Sequence, residues 1–155
     1  MATRSTIALE YADGSVDRVY CHWDGYLGHN GRILQEHYSD PFKLRDLIDL
    51  GDVSSLRPNI GDKHIFSRFD SDISADEYEE KYGDMTIFYG RDRGEDETDV
   101  GAVRFKDYAD YRALARFEEY NYILRRDGHW YVEYYGEFDG LLTEALEREA
   151  MEATE

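Results

Sequence analysis

The chain of 155 residues carries 35 acidic against 18 basic side chains, a formal net charge of −17, together with 41% apolar residues and 15% aromatics. The apolar and aromatic content excludes a disordered polyanion, and the charge argues against direct binding to nucleic acid or to anionic membranes, because each phosphate contact requires a Lys or Arg. The single Cys21 rules out an internal disulfide, no apolar run approaches the roughly 20 residues of a membrane span, and the first ten residues lack a signal-peptide core, so a cytoplasmic protein is expected.

Residues 6–11 and 15–23 are rich in β-formers and flank Asp13-Gly14, a dipeptide suited to a tight turn with positive φ, which predicts a β-hairpin. A glycine-rich bend over 25–31 follows, and then Ile33, Leu34, His37 and Tyr38 fall at helical spacing. Pro41, in a first helical turn capped by Asp40, opens a second helix with Phe42, Leu44, Leu47, Ile48 and Leu50, and Gly51 closes it. In the middle, 63–69 and 85–89 read as strands, and 74–82 as a short helix with Ser74 as cap and Glu77 at the capping-box position. Residues 91–99 have almost no apolar content and read as an exposed loop, before a strand over 100–105 and a helix carrying Tyr108, Tyr111 and Ala115.

A second hairpin is predicted where 120–124 and 129–135 flank Arg125-Arg126-Asp127-Gly128. Phe138, Leu141, Leu142, Ala145 and Leu146 then form the stripe of a closing helix. No repeat, linker or shift in composition divides the chain. The expectation is one acidic α+β domain over residues 1–155, with a mostly antiparallel sheet built from two hairpins plus extra strands, and several packed helices.

The thirty residues from 70 to 99 hold twelve acidic side chains against three basic ones, more than half of the net charge. On a helix over 74–82, Asp76, Glu79 and Glu80 are three or four residues apart, which places carboxylates about 5–6 Å from one another along one face. Like charges at that spacing destabilise a free helix by a few tenths of a kcal/mol per pair. They are tolerated for hydration, or retained to attract a partner. Such a row imitates a phosphate backbone in outline and suits the basic groove of a nucleic-acid-binding protein.

Other chemistry fits less well. Tyr20-Cys21-His22-Trp23-Asp24-Gly25-Tyr26 packs a thiol, an imidazole, an indole, a carboxylate and two phenols into seven residues, which suits either a ligand pocket or a strand end with alternate residues in the core. Cys21 and His22 cannot form a nucleophilic dyad on one strand, since neighbouring side chains point to opposite faces. One Cys with irregularly spaced His29 and His37 does not match a structural zinc site. An EF-hand counted from Asp70 meets Ala75 where Gly belongs and Lys81 where a bidentate Glu belongs. Glu79-Glu80-Lys81 after Asp70 or Asp72 resembles the acidic-x-Lys arrangement of metal-dependent nucleases, but the surrounding negative charge would repel a phosphodiester. No catalytic residue, metal ligand or cofactor is assigned, and an enzyme is not expected.

The opening Ser5-Thr6-Ile7, the Asp13-Gly14 turn, the stretch from Tyr20 to Tyr26 and residues 31–38 and 47–56 together resemble a group of small phage and prophage proteins of unknown function, over about the first 60 residues. The resemblance carries no catalytic residues. It implies a viral product acting in the bacterial cytoplasm, where small acidic proteins antagonise host defence. The expected function is therefore a non-enzymatic phage effector that inhibits a host defence or nucleic-acid-binding protein through an acidic surface that mimics nucleic acid. Asp70, Asp72, Asp76, Glu77, Glu79, Glu80 and Asp84 would supply attraction, and Tyr78 and Tyr82 aromatic anchors. The alternative is a protein that sequesters a nucleotide or signalling metabolite, with His22, Trp23, Asp24 and Tyr26 lining the pocket. The tyrosine-rich C-terminal hairpin also offers a surface for self-association across a two-fold axis.

Overall fold

A computed structural model describes residues 2–65 and 73–153. The Asp13-Gly14 turn joins β1 (Ser5–Glu10) to β2 (Val16–Cys21) in antiparallel register, Ser5 opposite Cys21 and Glu10 opposite Val16. Gly14 takes φ +92°, and the Asp13 carboxylate accepts from the Ser15 amide and hydroxyl at 2.9 and 2.6 Å, so the turn closes on its own side chains. The second hairpin, β6 (Tyr120–Leu124) with β7 (Trp130–Tyr134), is also antiparallel, and Gly128 at φ +86° turns it.

These hairpins lie side by side, with β1 running parallel to β6. The sheet has the order β4-β3-β2-β1-β6-β7-β8, where β3 is Val53–Ser55, β4 is Ile87–Phe88 and β8 is Phe138–Leu141. The sheet is thus mostly antiparallel, with parallel pairs at β1/β6 and β2/β3. The outer side of β2 is shared: its last residue, Cys21, pairs with Val53 of β3, while Val16 to Arg18 pair antiparallel with β5 (Val103–Phe105).

Alternation along the strands divides the core in two. Ile7, Leu9, Val19, Tyr122, Leu124 and Val132 point to the face packed by α1 (Arg32–His37), α2 (Pro41–Asp49) and α6 (Leu142–Ala153), whose buried contributions include Leu34, Leu44, Leu47, Ile48, Leu142 and Ala145. Ala8, Val16, Phe105 and Ile123 point to the other face, covered by Tyr111 of α5 (Tyr108–Leu114). Because both faces are covered, every residue of β1 is buried, polar ones included. Those polar groups are paired: the Thr6 hydroxyl donates to Asn121 Oδ1 at 2.8 Å, and Glu10 accepts from Arg125 Nε at 3.1 Å. Each bond links β1 to the β6 side of the sheet, so a one-residue slip would strand a buried polar group.

Helix α2 begins as its sequence dictates, with Asp40 accepting from the Phe42 amide at 2.9 Å and Pro41 in the first turn. α3 (Ala75–Tyr82) is capped by Ser74, which accepts from the Glu77 amide at 3.2 Å. The glycine-rich bend is a π-helical turn, Leu27–Gly31, leading straight into α1.

Three segments depart from the sequence pattern. Phe138 and Leu141 belong to β8 and not to the closing helix, which starts at Leu142. The reason is a reversal at Tyr135 and Gly136, both at positive φ (55° and 69°), that folds the chain back so that Phe138 stacks on Tyr134 with 5.6 Å between ring centroids. Residues 91–99 are not wholly an exposed loop: Asp92 is buried and accepts from the amides of Phe88 (2.9 Å) and His64 (3.2 Å), and Glu97–Val100 forms a short helix, α4, capped by Asp96. Residues 63–65 are not in a strand, and the rest of the strand expected over 63–69 lies outside the described residues.

Candidate functional site

Two regions carry the side chains that the sequence singles out. The first is α3 and its surroundings. No residue of α3 is buried, and Asp76, Glu77, Glu79 and Glu80 are exposed, as is Asp84 beyond its end. Among the described residues, no ion pair involves any of these five carboxylates, whereas Glu10, Asp17, Asp92 and Asp139 are each held by an arginine. Asp70 and Asp72 lie outside the described residues.

α3 leads into β4, the strand at one end of the sheet order, and the acidic turn that leads to α4 follows it directly. The acidic stretch is therefore gathered about one sheet edge, anchored where the Asn59 amide donates to Asp84 O at 2.9 Å. Its members play different parts. Asp92 and Asp96 are structural, one buried beneath the turn and the other capping α4, while Glu95 and Asp99 face solvent.

Tyr78 and Tyr82 are half-buried and tied to their own chain. The Tyr78 hydroxyl donates to Ile65 O at 2.8 Å, and the Tyr82 ring stacks on His64 with centroids 5.3 Å apart. They hold α3 to the body of the molecule through one face, which leaves the carboxylate face outward. Sequence reasoning did not single out α6, where Glu144, Glu147 and Glu152 make a second exposed acidic helix next to the opposite sheet edge, β8.

The second region is the segment from Tyr20 to Tyr26, and the structure assigns most of it an architectural task. Cys21 is buried, and burial pushes its thiol up to about 11, so it is not a thiolate nucleophile at neutral pH. His22 points away from Cys21 and sits 2.7 Å from the Tyr20 hydroxyl. Partial burial, with Arg4 and Arg93 nearby, lowers the imidazole's affinity for protons. Trp23 packs edge-on against His22, with centroids 4.7 Å apart, and both Trp23 and Tyr26 are 43% exposed.

Asp24 adopts the left-handed conformation (φ 58°), which an Asp tolerates better than most residues. Its neighbour Gly25 passes so close to the start of β1 that a Cβ there would lie 2.7 Å from Ser5 Cβ and 2.9 Å from Thr3 O. The buried Asn30 then braces the crossing, its amide nitrogen 3.3 Å from Ser5 Oγ, Cys21 Sγ and Trp23 O, while the Tyr122 hydroxyl donates to Gly25 O at 2.6 Å. Asp24-Gly25 is thus a crossing point over β1. The aromatics beside it, Trp23 and Tyr26, are exposed.

A well-formed apolar cleft of about 300 Å³ lies instead by the other end of β1, among Leu9, Tyr11, Phe42, Leu124 and the arginines at 45, 125 and 126. Its lining comes from three separated parts of the chain. The only advance signal was the Arg125-Arg126 pair, a basic cluster within a strongly acidic sequence.

The chain is an α+β protein with a mixed sheet and carboxylates displayed at its β4 edge. No family model matches it, and neither the curated proteins nor the solved structures contain a significant match.

Proposed function

We propose that this protein is a non-enzymatic effector, encoded by a phage, that binds and inhibits a basic host protein concerned with defence or with nucleic acids. The observation that carries this reading is the outward row of Asp76, Glu77, Glu79 and Glu80 on α3, exposed and in no ion pair among the described residues. Carboxylates with no internal partner keep their full field for an approaching cation, and that field accelerates encounter more than it adds affinity. The partner's phosphate-binding groove is the matching surface, with the α3 carboxylates taking the place of phosphates. On this reading the protein acts in the cytoplasm of the infected cell. The metabolite-sequestering alternative rests on the side chains of His22, Trp23, Asp24 and Tyr26, and the exposed α3 carboxylates support the effector reading over it.

Affinity capture from bacterial lysate at about 50 and 500 mM salt, followed by association kinetics with the captured protein, tests the proposal. Association should slow at the higher salt. The double variant Glu79→Lys, Glu80→Lys should lower the on-rate about tenfold at low salt. An on-rate that neither salt nor charge reversal changes would overturn it.

A further inference from the structure

The cleft by the far end of β1 has a topological origin. β1 and β6 are parallel neighbours, so their C-terminal ends emerge side by side. From there the chain turns away in opposite directions, β1 into β2 on one side and β6 into β7 on the other. Parallel strands whose connections diverge leave a crevice beyond their carboxyl ends, which is where open sheets accept ligands. Here Leu9 and Leu124 supply apolar lining, Tyr11 and Gly128 belong to the diverging turns, and Pro41 and Phe42 at the start of α2 complete it.

Charge at the cleft runs against the rest of the molecule. In a chain of net charge −17, three arginines and one glutamate line it. Glu10 is matched by Arg125 at 3.1 Å, and Arg125 is also held over the Tyr108 ring at 3.6 Å, so this pair is fixed and internally neutral. Arg45 and Arg126 remain. Both are exposed, and neither lies within ion-pair distance of a carboxylate among the described residues, although the Arg45 charge reaches Asp17, which Arg104 holds. Phe42, 76% exposed in the first turn of α2, is an apolar ring left in water beside them.

We propose that this crevice binds a small organic acid: an apolar body, aryl or acyl, over Leu9, Leu124 and Phe42, with a carboxylate or phosphate-ester head on Arg45 and Arg126. The volume, about 300 Å³, is at the small end for ligand sites and suits a single ring or short chain. Guanidinium groups recognise either head through paired N–H donors. The site is independent of the α3 surface.

Calorimetric titration of the full chain with 4-phenylbutyrate, phenyl phosphate, 4-phenylbutylamine and inorganic phosphate tests it, with amide NMR shifts reporting location. At least one of the two organic anions should bind with a dissociation constant below about 1 mM and shift residues 9–12, 41–45 and 124–128. Arg45→Gln with Arg126→Gln should weaken binding at least tenfold, and Phe42→Ala at least threefold. All three side chains are on the surface, so folding should survive, and an unchanged amide spectrum outside the cleft verifies that it does. If neither anion binds, if the amine binds equally well, or if the shifts map elsewhere, the proposal fails. Inorganic phosphate binding as tightly as the organic acids would overturn the role of the apolar lining.

Discussion

Asp52 shows how a single carboxylate can cost stability while serving the fold. It accepts the Tyr20 amide at 2.9 Å beside the β2–β3 junction, and burial pushes its carboxyl above the ordinary value, with that hydrogen bond and then Arg18 only partly opposing the shift. In the unfolded chain the group titrates near its usual 3.8, so above that pH the folded state holds a charge that it disfavours. Below both values the group is protonated in either state and the penalty vanishes. Asp52→Asn keeps an oxygen for the Tyr20 amide and removes the charge. The variant should therefore melt higher than wild type at pH 7, and the difference should shrink to nothing by about pH 3. A melting temperature lower at pH 7 would mean that the Tyr20 amide and Arg18, not burial, govern the group.

Whether an element could be read in advance depended on how local its cause was. α2 and α3 each carry an oxygen cap and begin at the residue that the cap implies. α3, however, fully buries no residue, is held through the half-buried Tyr78 and Tyr82, and bears like charges at Asp76 and Glu80, four apart, so its own cap carries much of its stability. Ser74→Ala should cost the helix about 1 kcal/mol, and hydrogen exchange over 75–82 should quicken roughly fivefold while the global melting temperature stays unchanged. A fall in global stability instead would show that α3 unfolds together with the sheet. β8 was missed because Phe138, Leu141 and Leu142 also fit a helical stripe: a tight turn at Tyr135 and Gly136 instead pairs Phe138–Leu141 antiparallel with β7, and the stacking of Phe138 on Tyr134 supports that ladder. β3, three residues long, is set by pairing to β2 on one side and β4 on the other.

At the scale of the molecule, carboxylates outnumber the arginines and lysines that could neutralise them, and exposed acidic helices lie next to both sheet edges. Self-repulsion opposes compactness, and salt screens it. The melting temperature should therefore rise between about 20 and 500 mM NaCl at pH 7, and a flat or falling dependence would mean that internal pairs such as Arg104–Asp17 and Arg125–Glu10 outweigh the repulsion. The sheet also relocates any strand-mediated self-association. β7 has partners on both sides, β6 and β8, so the edge on the side of the tyrosine-rich hairpin belongs to β8.

From its sequence alone, this protein was determined to be an acidic α+β chain with two hairpins, two capped helices and a row of carboxylates on one of them. Those features follow from neighbours within a few residues, whose turn and cap chemistry acts wherever the chain sits. Only the tertiary structure decided that β1 and β6 run parallel, that Asp24-Gly25 carries the chain over β1, and that Leu9, Phe42, Arg45, Leu124 and Arg126 meet in one cleft. Such juxtapositions join residues more than a hundred positions apart, as Leu9 and Arg126 are, and nothing local encodes them. They exist because the apolar faces of the two hairpins and the helices above them can be buried together in this arrangement.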